Sequence, residues 1–231
     1  MEKSFEWWKK AAEQGYAPAL AKVGECYYYG NGVEQNVKES IEWLTRASEN
    51  GQALAQHLLG LCYFNGEEIE KDINKSIEQL TKAAEQDYIP SQIFLGGVFY
   101  NGDGIEKDIP KALEWYKKAG EQNSSYASFM VGEIFYNGNG VDRNFFEAAK
   151  WYTKAAEKGQ KLSQYKLGYC YELGIGVERN DSTAFSWYKK SADNGNQEAL
   201  YKVASCYENG IGVKKDPVLA QKWYELANGK E

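Results

Sequence analysis

The sequence predicts an all-α fold: a right-handed α-solenoid of 36-residue helix-turn-helix repeats, an α/α superhelix of about six and a half repeats. Three recurrences predict it. Tryptophan stands at Trp7, Trp43, Trp115, Trp151, Trp187 and Trp223, every gap being 36 residues or twice that, with Gln79 at the one missing place. Glycine keeps the same spacing at Gly30, Gly66, Gly102, Gly138, Gly174 and Gly210. A third column, Asn36, Asp72, Asp108, Asn144, Asn180 and Asp216, holds only Asn or Asp. A fixed period of this length marks an array whose units bury their apolar faces against one another. The chain 1–231 therefore reads as a single repeat domain. It has a lone helix at 1–15, then repeats near 16–51, 52–87, 88–123, 124–159, 160–195 and 196–231.

The lone helix comes first, because residues 1–14 match only the second helix of a unit. Each full repeat then opens with a helix that precedes the strict glycine. Its column Ala19, Ala55, Ser91, Ala127, Ser163, Ala199 is small, and five residues on Gly24, Gly60, Gly96, Gly132, Gly168 and Ala204 are small again. Small residues let backbones approach, and large neighbours such as Val23, Leu59, Leu95, Tyr27, Tyr63 and Phe99 fill the gaps. The second helix begins at the Asn/Asp column, whose short side-chain oxygen can accept orphan amide hydrogens of the first turn. Pro217 follows its cap at the first helical position, where a missing N–H costs nothing. That helix ends at Gly15, Gly51, Asp87, Asn123, Gly159 and Gly195, the residue types that best tolerate a left-handed backbone. Thirteen helices result, the last again a second helix. Either the chain is cut from a longer array, the favoured expectation, or its first helix, carrying Trp8 where other units have Tyr or Leu, meets another molecule.

The stretch Ala127-x-x-x-Val131-Gly132-x-x-Phe135-x-x-Gly138-x-Gly140-Val141, followed by Ala148-x-x-Trp151-Tyr152-x-Lys154-Ala155-Ala156-Glu157-x-Gly159, resembles the Sel-1-like repeat (SLR) family of tetratricopeptide-like solenoids. The resemblance covers essentially the whole chain. One unit departs from it: Gly66-Glu67-Glu68-Ile69 lacks the second glycine and Gln79-Leu80 replaces the aromatic pair, so a local irregularity is expected between residues 64 and 80. The resemblance implies an adaptor that scaffolds protein complexes in signalling, protein quality control or bacterium–host contact.

Composition narrows the partners. A net charge of −6 argues against nucleic acid, since phosphate binding needs a basic surface. No apolar run approaches the ~20 residues that span a bilayer, so no membrane insertion is expected. The amphipathic start is not a secretory signal, and a cytoplasmic location, or a fragment of an exported protein, is the expectation. Cys26, Cys62, Cys170 and Cys206 share one first-helix column, where stacked helices lie roughly 8–10 Å apart, beyond the ~7 Å that a disulfide spans. They read as small buried hydrophobes in a reducing compartment. The cysteine-rich branch of the resembled family carries a second cysteine in each repeat, which every unit here lacks.

Chemistry is sparse. The one histidine, His57, has no neighbours with metal-ligand spacing, so neither a metal nor a cofactor is expected and no catalytic residue is assigned. Gly138-Asn139-Gly140 and Gly174-Ile175-Gly176 follow helices rather than strands and read as turns, not phosphate loops. Lys10, Arg46, Lys82 and Lys118 each lie four residues after a glutamate, the spacing of a solvent-facing ion pair, with Lys154 following Lys150 as the exception. The Trp115-Tyr116, Trp151-Tyr152 and Trp187-Tyr188 pairs read as packing residues.

A partner is expected in a concave groove lined by the first helices. Columns fixed by packing are uniform, so the variable ones are candidates for the free face. These give His57, Leu61 and Phe64; Phe94 and Tyr100; Phe129, Met130 and Tyr136; then Tyr165 and Tyr169. Exposed aromatics in a groove are typical binding hot spots, although the same residues can instead pack against the next unit. Asn65, Asn101 and Asn137, just before the strict glycines, can clamp an extended peptide backbone or cap helix ends. The leading expectation is a non-catalytic scaffold that binds a protein or peptide. The alternatives are a hydrolase of lactam or cell-wall-type substrates, as suggested for cysteine-rich relatives, and a structural protein self-associating end to end through its terminal helices.

Overall fold

The computed structural model describes residues 2–229. Among them are thirteen helices and no strand, in the order the caps and glycines predict. The chain divides into two compact units, Met1–Asp108 and Ile109–Glu231. The first holds α1 (Glu2–Glu13), α2 (Ala17–Tyr29), α3 (Val37–Glu49), α4 (Ala53–Asn65), α5 (Ile73–Ala84) and α6 (Ile89–Asn101). The second holds α7 (Ile109–Glu121), α8 (Ser125–Asn137), α9 (Phe145–Glu157), α10 (Lys161–Leu173), α11 (Asp181–Asp193), α12 (Gln197–Asn209) and α13 (Pro217–Ala227). Within each unit consecutive helices pack as antiparallel hairpins stacked one on the next, the all-α solenoid arrangement. The even-numbered helices are the first helices of the repeats. In the first unit α2 also touches α4 directly.

The helix ends have local causes. Asn36, Asp72, Asn144 and Asn180 each accept, through a side-chain oxygen, the backbone N–H three residues on, at 2.9–3.1 Å. Asp216 accepts from both Val218 and Leu219. At the other end Asp87 and Asn123 hold φ of 61° and 69°, in the left-handed region with the glycines of their column. These are the residue types the sequence places there.

The small columns also act as predicted. A Cβ added at Gly24 would lie 2.7 Å from Leu44 Cδ2, and one at Gly132 would lie 2.5 Å from the Tyr152 ring. The missing methyls let Leu44, Leu80, Tyr152 and Tyr188 seat against the backbone of the first helix, and all four are fully buried. Cys26, Cys62, Cys170 and Cys206 are buried free thiols. Burial pushes Cys62 up to about 12 and Cys170 and Cys206 to about 11.

The expected irregularity is confined to two residues. In the turn glycine column, a Cβ on Gly176 would fall 2.0 Å from the Phe145 carbonyl oxygen. Glu68 occupies this column in the second repeat and holds φ 54° despite its side chain. The turn keeps its shape at the expense of backbone strain. A surface cleft of about 670 Å³ lies here, lined by Gln35, Asn36, Val37, Lys38, Glu67 and Glu68. At the missing tryptophan, Gln79 accepts a hydrogen bond from the Ser48 hydroxyl at 2.6 Å. The equivalent neighbour of Trp151 is the smaller Gly120, and the same column holds Ala12 one repeat before Ser48. Polarity has therefore changed on both sides of this contact.

One structural device escaped the sequence reading. Gln56, Gln92 and Gln164 are buried in the first helices and donate to the carbonyls of Ser48, Ala84 and Ala156 at the end of the preceding helix. From the end of the second helix of the same repeat, Gln86 donates to Gln56 at 2.7 Å and Asn194 to Gln164 at 2.9 Å. Buried amides satisfied in this way tie these three repeats to the repeat before each of them.

Candidate partner-binding faces

In the first unit the variable columns of α4 and α6 lie on one face. His57, Leu61, Phe64, Phe94 and Tyr100 are all half-buried, whereas Leu58 on the same stripe is wholly inside. His57 is fastened to the next repeat: its Nδ1 lies 2.9 Å from the Ser91 hydroxyl and its ring packs on Tyr88 at 5.3 Å. Burial lowers its pKa to about 4, so the imidazole is neutral at pH 7. Phe64 and Phe94 meet edge to face with centroids 5.0 Å apart, the geometry favoured by ring quadrupoles. Lys71 and Lys107 lie over Phe64 and Tyr100 at 5.6 and 5.0 Å. The face is aromatic with a basic rim.

The second unit presents a different face. Phe129, Met130, Tyr136, Tyr165 and Tyr169 are again half-buried. Phe129 and Tyr165 pack over the buried rings of Tyr152 and Tyr188, at 6.2 and 5.5 Å. Tyr152 donates its hydroxyl to Glu133, which also holds Lys166 of the next repeat at 3.0 Å. Tyr188 donates to Glu172, which holds Lys202 of the repeat after at 2.7 Å. Tyr224 donates to Glu208 at 2.9 Å. Burial, then the facing carboxylate, raises the Tyr152 and Tyr188 pKa values, so both hydroxyls stay protonated as donors. These rungs were not foreseen. Their signal was the recurrence of glutamate at 133 and 172 with lysine 33 or 30 residues later, visible only by comparing neighbouring units.

The asparagines divide. Asn65 and Asn101 donate to the carboxylates of Glu67 and Asp103 in their own turns, at 2.9 and 3.1 Å. Asn209 in the same column donates to the Ser205 carbonyl one helical turn back, an end-capping bond. Asn137 is exposed. Among the described residues no group of His, Cys, Asp and Glu is arranged to hold a metal ion, and no helix is long and apolar enough to cross a membrane.

The lysine column behaves differently from its expected ion pairing. Lys10, Arg46, Lys118, Lys154 and Lys190 lie over the rings of Trp7, Trp43, Trp115, Trp151 and Trp187, three residues before them, at 4.1–5.3 Å. Among the described residues of this column, the glutamate pair at spacing four forms at Lys82–Glu78, where no tryptophan is present. Where the ring is present the cation lies over its face rather than on an exposed carboxylate, whose net contribution is small.

A family model described as the Sel1 repeat matches seven successive segments: 1–16, 17–52, 53–88, 89–124, 125–160, 161–196 and 197–228. A solved structure of a protective antigen from uropathogenic Escherichia coli, described as displaying an SLR fold, is 34% identical with a TM-score of 0.92. It aligns with 97% of this chain, which spans 48% of that one. A Sel1 repeat protein from Oxalobacter formigenes is also 34% identical, with a TM-score of 0.72 over 94% of this chain and 87% of its own. A Klebsiella pneumoniae Sel1 repeat protein, at 18% identity and TM-score 0.51 over 87% of this chain and 98% of its own, shares the fold. Comparison with curated proteins gives no match.

Proposed function

The chain belongs to the Sel1 repeat family, and from that premise we propose that it is a non-catalytic scaffold binding a protein or peptide partner along the first-helix face of its units. The observation that carries this reading is the Phe64–Phe94 pair with its neighbours Leu61 and Tyr100. These large apolar side chains stand in variable columns and are only half-buried, so they keep part of their surface in water. Apolar surface held at a defined place on a rigid helix pair lowers the entropy lost on binding, because few rotamers remain to be fixed. In the second unit, Phe129, Met130, Tyr136, Tyr165 and Tyr169 supply aromatic area beside fixed charges. Charges fixed in this way favour selectivity over raw affinity.

The test is capture of binding proteins by the purified chain and by a variant with Phe94, Tyr100, Phe129 and Tyr136 changed to Ser. The expected result is loss of captured partners with helical content retained. Unchanged capture by a folded variant rejects the aromatic faces as the binding surface.

A further inference from the structure

The sequence holds nine Asn-Gly pairs, and the fold sorts them into two kinds. In seven of them the asparagine ends a helix, and the glycine N–H is bonded back to a carbonyl of that helix at 2.8–3.1 Å, as at Gly66, Gly138 and Gly195. The other two, Asn31-Gly32 and Asn139-Gly140, lie in the turns that join α2 to α3 and α8 to α9. Among the described residues nothing accepts from the N–H of Gly32 or Gly140. We propose that Asn139 and Asn31 are sites of covalent modification in the folded chain, converted to aspartyl and isoaspartyl residues, and that the other seven are protected by their helix ends.

The reaction needs only the chain and water. The Gly140 nitrogen forms a bond to Asn139 Cγ, its proton passes to the departing side-chain nitrogen, and that nitrogen leaves as ammonia. The product is a five-membered succinimide. Water then adds to one of its two carbonyls and breaks the ring C–N bond on that side, which leaves either an aspartate or an isoaspartate. The first step requires the nitrogen to reach Cγ in a near-attack geometry. A nitrogen whose proton is held by a carbonyl one turn back must first break that bond and unwind the helix end.

Asn137 and Asn139 show the contrast within one turn. Both are exposed and both are followed by glycine. The Gly138 N–H is held by the Ile134 carbonyl at 3.0 Å, whereas the Gly140 N–H has no such partner. Asn139 also stands between two glycines, at φ 69° and 75°, so no Cβ on either side hinders ring closure. Several protected asparagines are fastened a second time through their side chains: Asn50 donates to the Arg46 carbonyl, Asn194 to Gln164 and Asn228 to the Tyr224 carbonyl. Each conversion adds one negative charge. The isoaspartyl form also lengthens the backbone by a methylene, in a turn where a Cβ on Gly140 would already lie 2.7 Å from Ile109.

The test incubates the full chain in mildly alkaline buffer, with a parallel sample in urea, and follows each asparagine by peptide mass mapping after digestion at acid pH. In the folded chain Asn139 and Asn31 are expected to convert about tenfold faster than Asn137 and the other helix-end asparagines, or more, a difference of ~1.4 kcal/mol in the barrier. In urea all nine are expected to converge, because every one is followed by glycine. Asn139→Gln/Asn31→Gln, in which ring closure would need a slower six-membered path, is expected to abolish most of the ammonia released by the folded chain. Circular dichroism verifies that this variant folds. If Asn137 keeps pace with Asn139 in the folded chain, or either turn asparagine fails to lead the helix-end ones, the proposal is overturned. Persistence of the same order in urea overturns it too, since local sequence would then set the rates.

Discussion

Lys82 donates to Glu78 at 2.6 Å in the repeat where Gln79 stands in place of tryptophan. Elsewhere the same column lies over an indole ring. The cation has two partners within reach, at spacings of three and four, and takes the carboxylate when the ring is gone. Gln79 brings its own compensation, the hydroxyl of Ser48.

That compensation predicts non-additivity. Gln79→Trp alone strips Ser48 of its acceptor and places an indole against a hydroxyl. It is expected to gain little or to destabilise. Adding Ser48→Ala restores the small apolar residue that the same column holds at Ala12, and the double variant should be about 1 kcal/mol more stable than the two single effects sum to. Urea unfolding of the four proteins measures the coupling, and a coupling near zero contradicts it.

Glu68 predicts a stabilising substitution. A non-glycine residue in the left-handed region costs roughly 1–2 kcal/mol, against which glycine loses more entropy on folding. Glu68→Gly should therefore raise stability by ~0.5–1 kcal/mol, read as a higher urea midpoint at unchanged slope. A lower midpoint would show that the Glu68 side chain contributes more than its backbone costs.

His57 predicts a pH dependence. Its folded pKa is about 4, below the ordinary 6.5, so between those values the unfolded chain binds the proton and the folded chain does not. This stabilisation is complete above pH 6.5, declines as pH falls towards 4, and is absent below. It amounts to at most ~3 kcal/mol. Phe, the residue at the equivalent position 129, is the natural replacement. His57→Phe should lose less stability between pH 7 and pH 4.5 than the parent, by ~2 kcal/mol, in urea melts at the two pH values. Parallel losses would show that the imidazole charges freely in the folded state.

The fold was legible because its signals are local. Asn36 capping Glu39, or Asn123 at φ 69°, needs only the residues beside it, so a column of Asn and Asp fixes a helix start wherever it occurs. The faces were less legible because they depend on partners a repeat away. Phe64 and Phe94 were singled out by variability alone, and only the fold shows that they touch. The Tyr152–Glu133–Lys166 rung was hidden for the same reason, its members lying 19 and 33 residues apart. The lysines were misassigned through a competition within one helix, where a glutamate and a tryptophan were both within reach and the presence of the ring decided.

The amide brackets affect how the protein comes apart. If one repeat frays from its predecessor, Gln56 loses the carbonyl of Ser48, Gln92 that of Ala84 and Gln164 that of Ala156. Each loss strands a polar group beside a still-buried surface, at ~1–3 kcal/mol. Separation is thereby disfavoured at these three seams, and the repeats that they join melt together more cheaply than one by one. A chain built from nearly interchangeable parts thus denatures in concerted blocks.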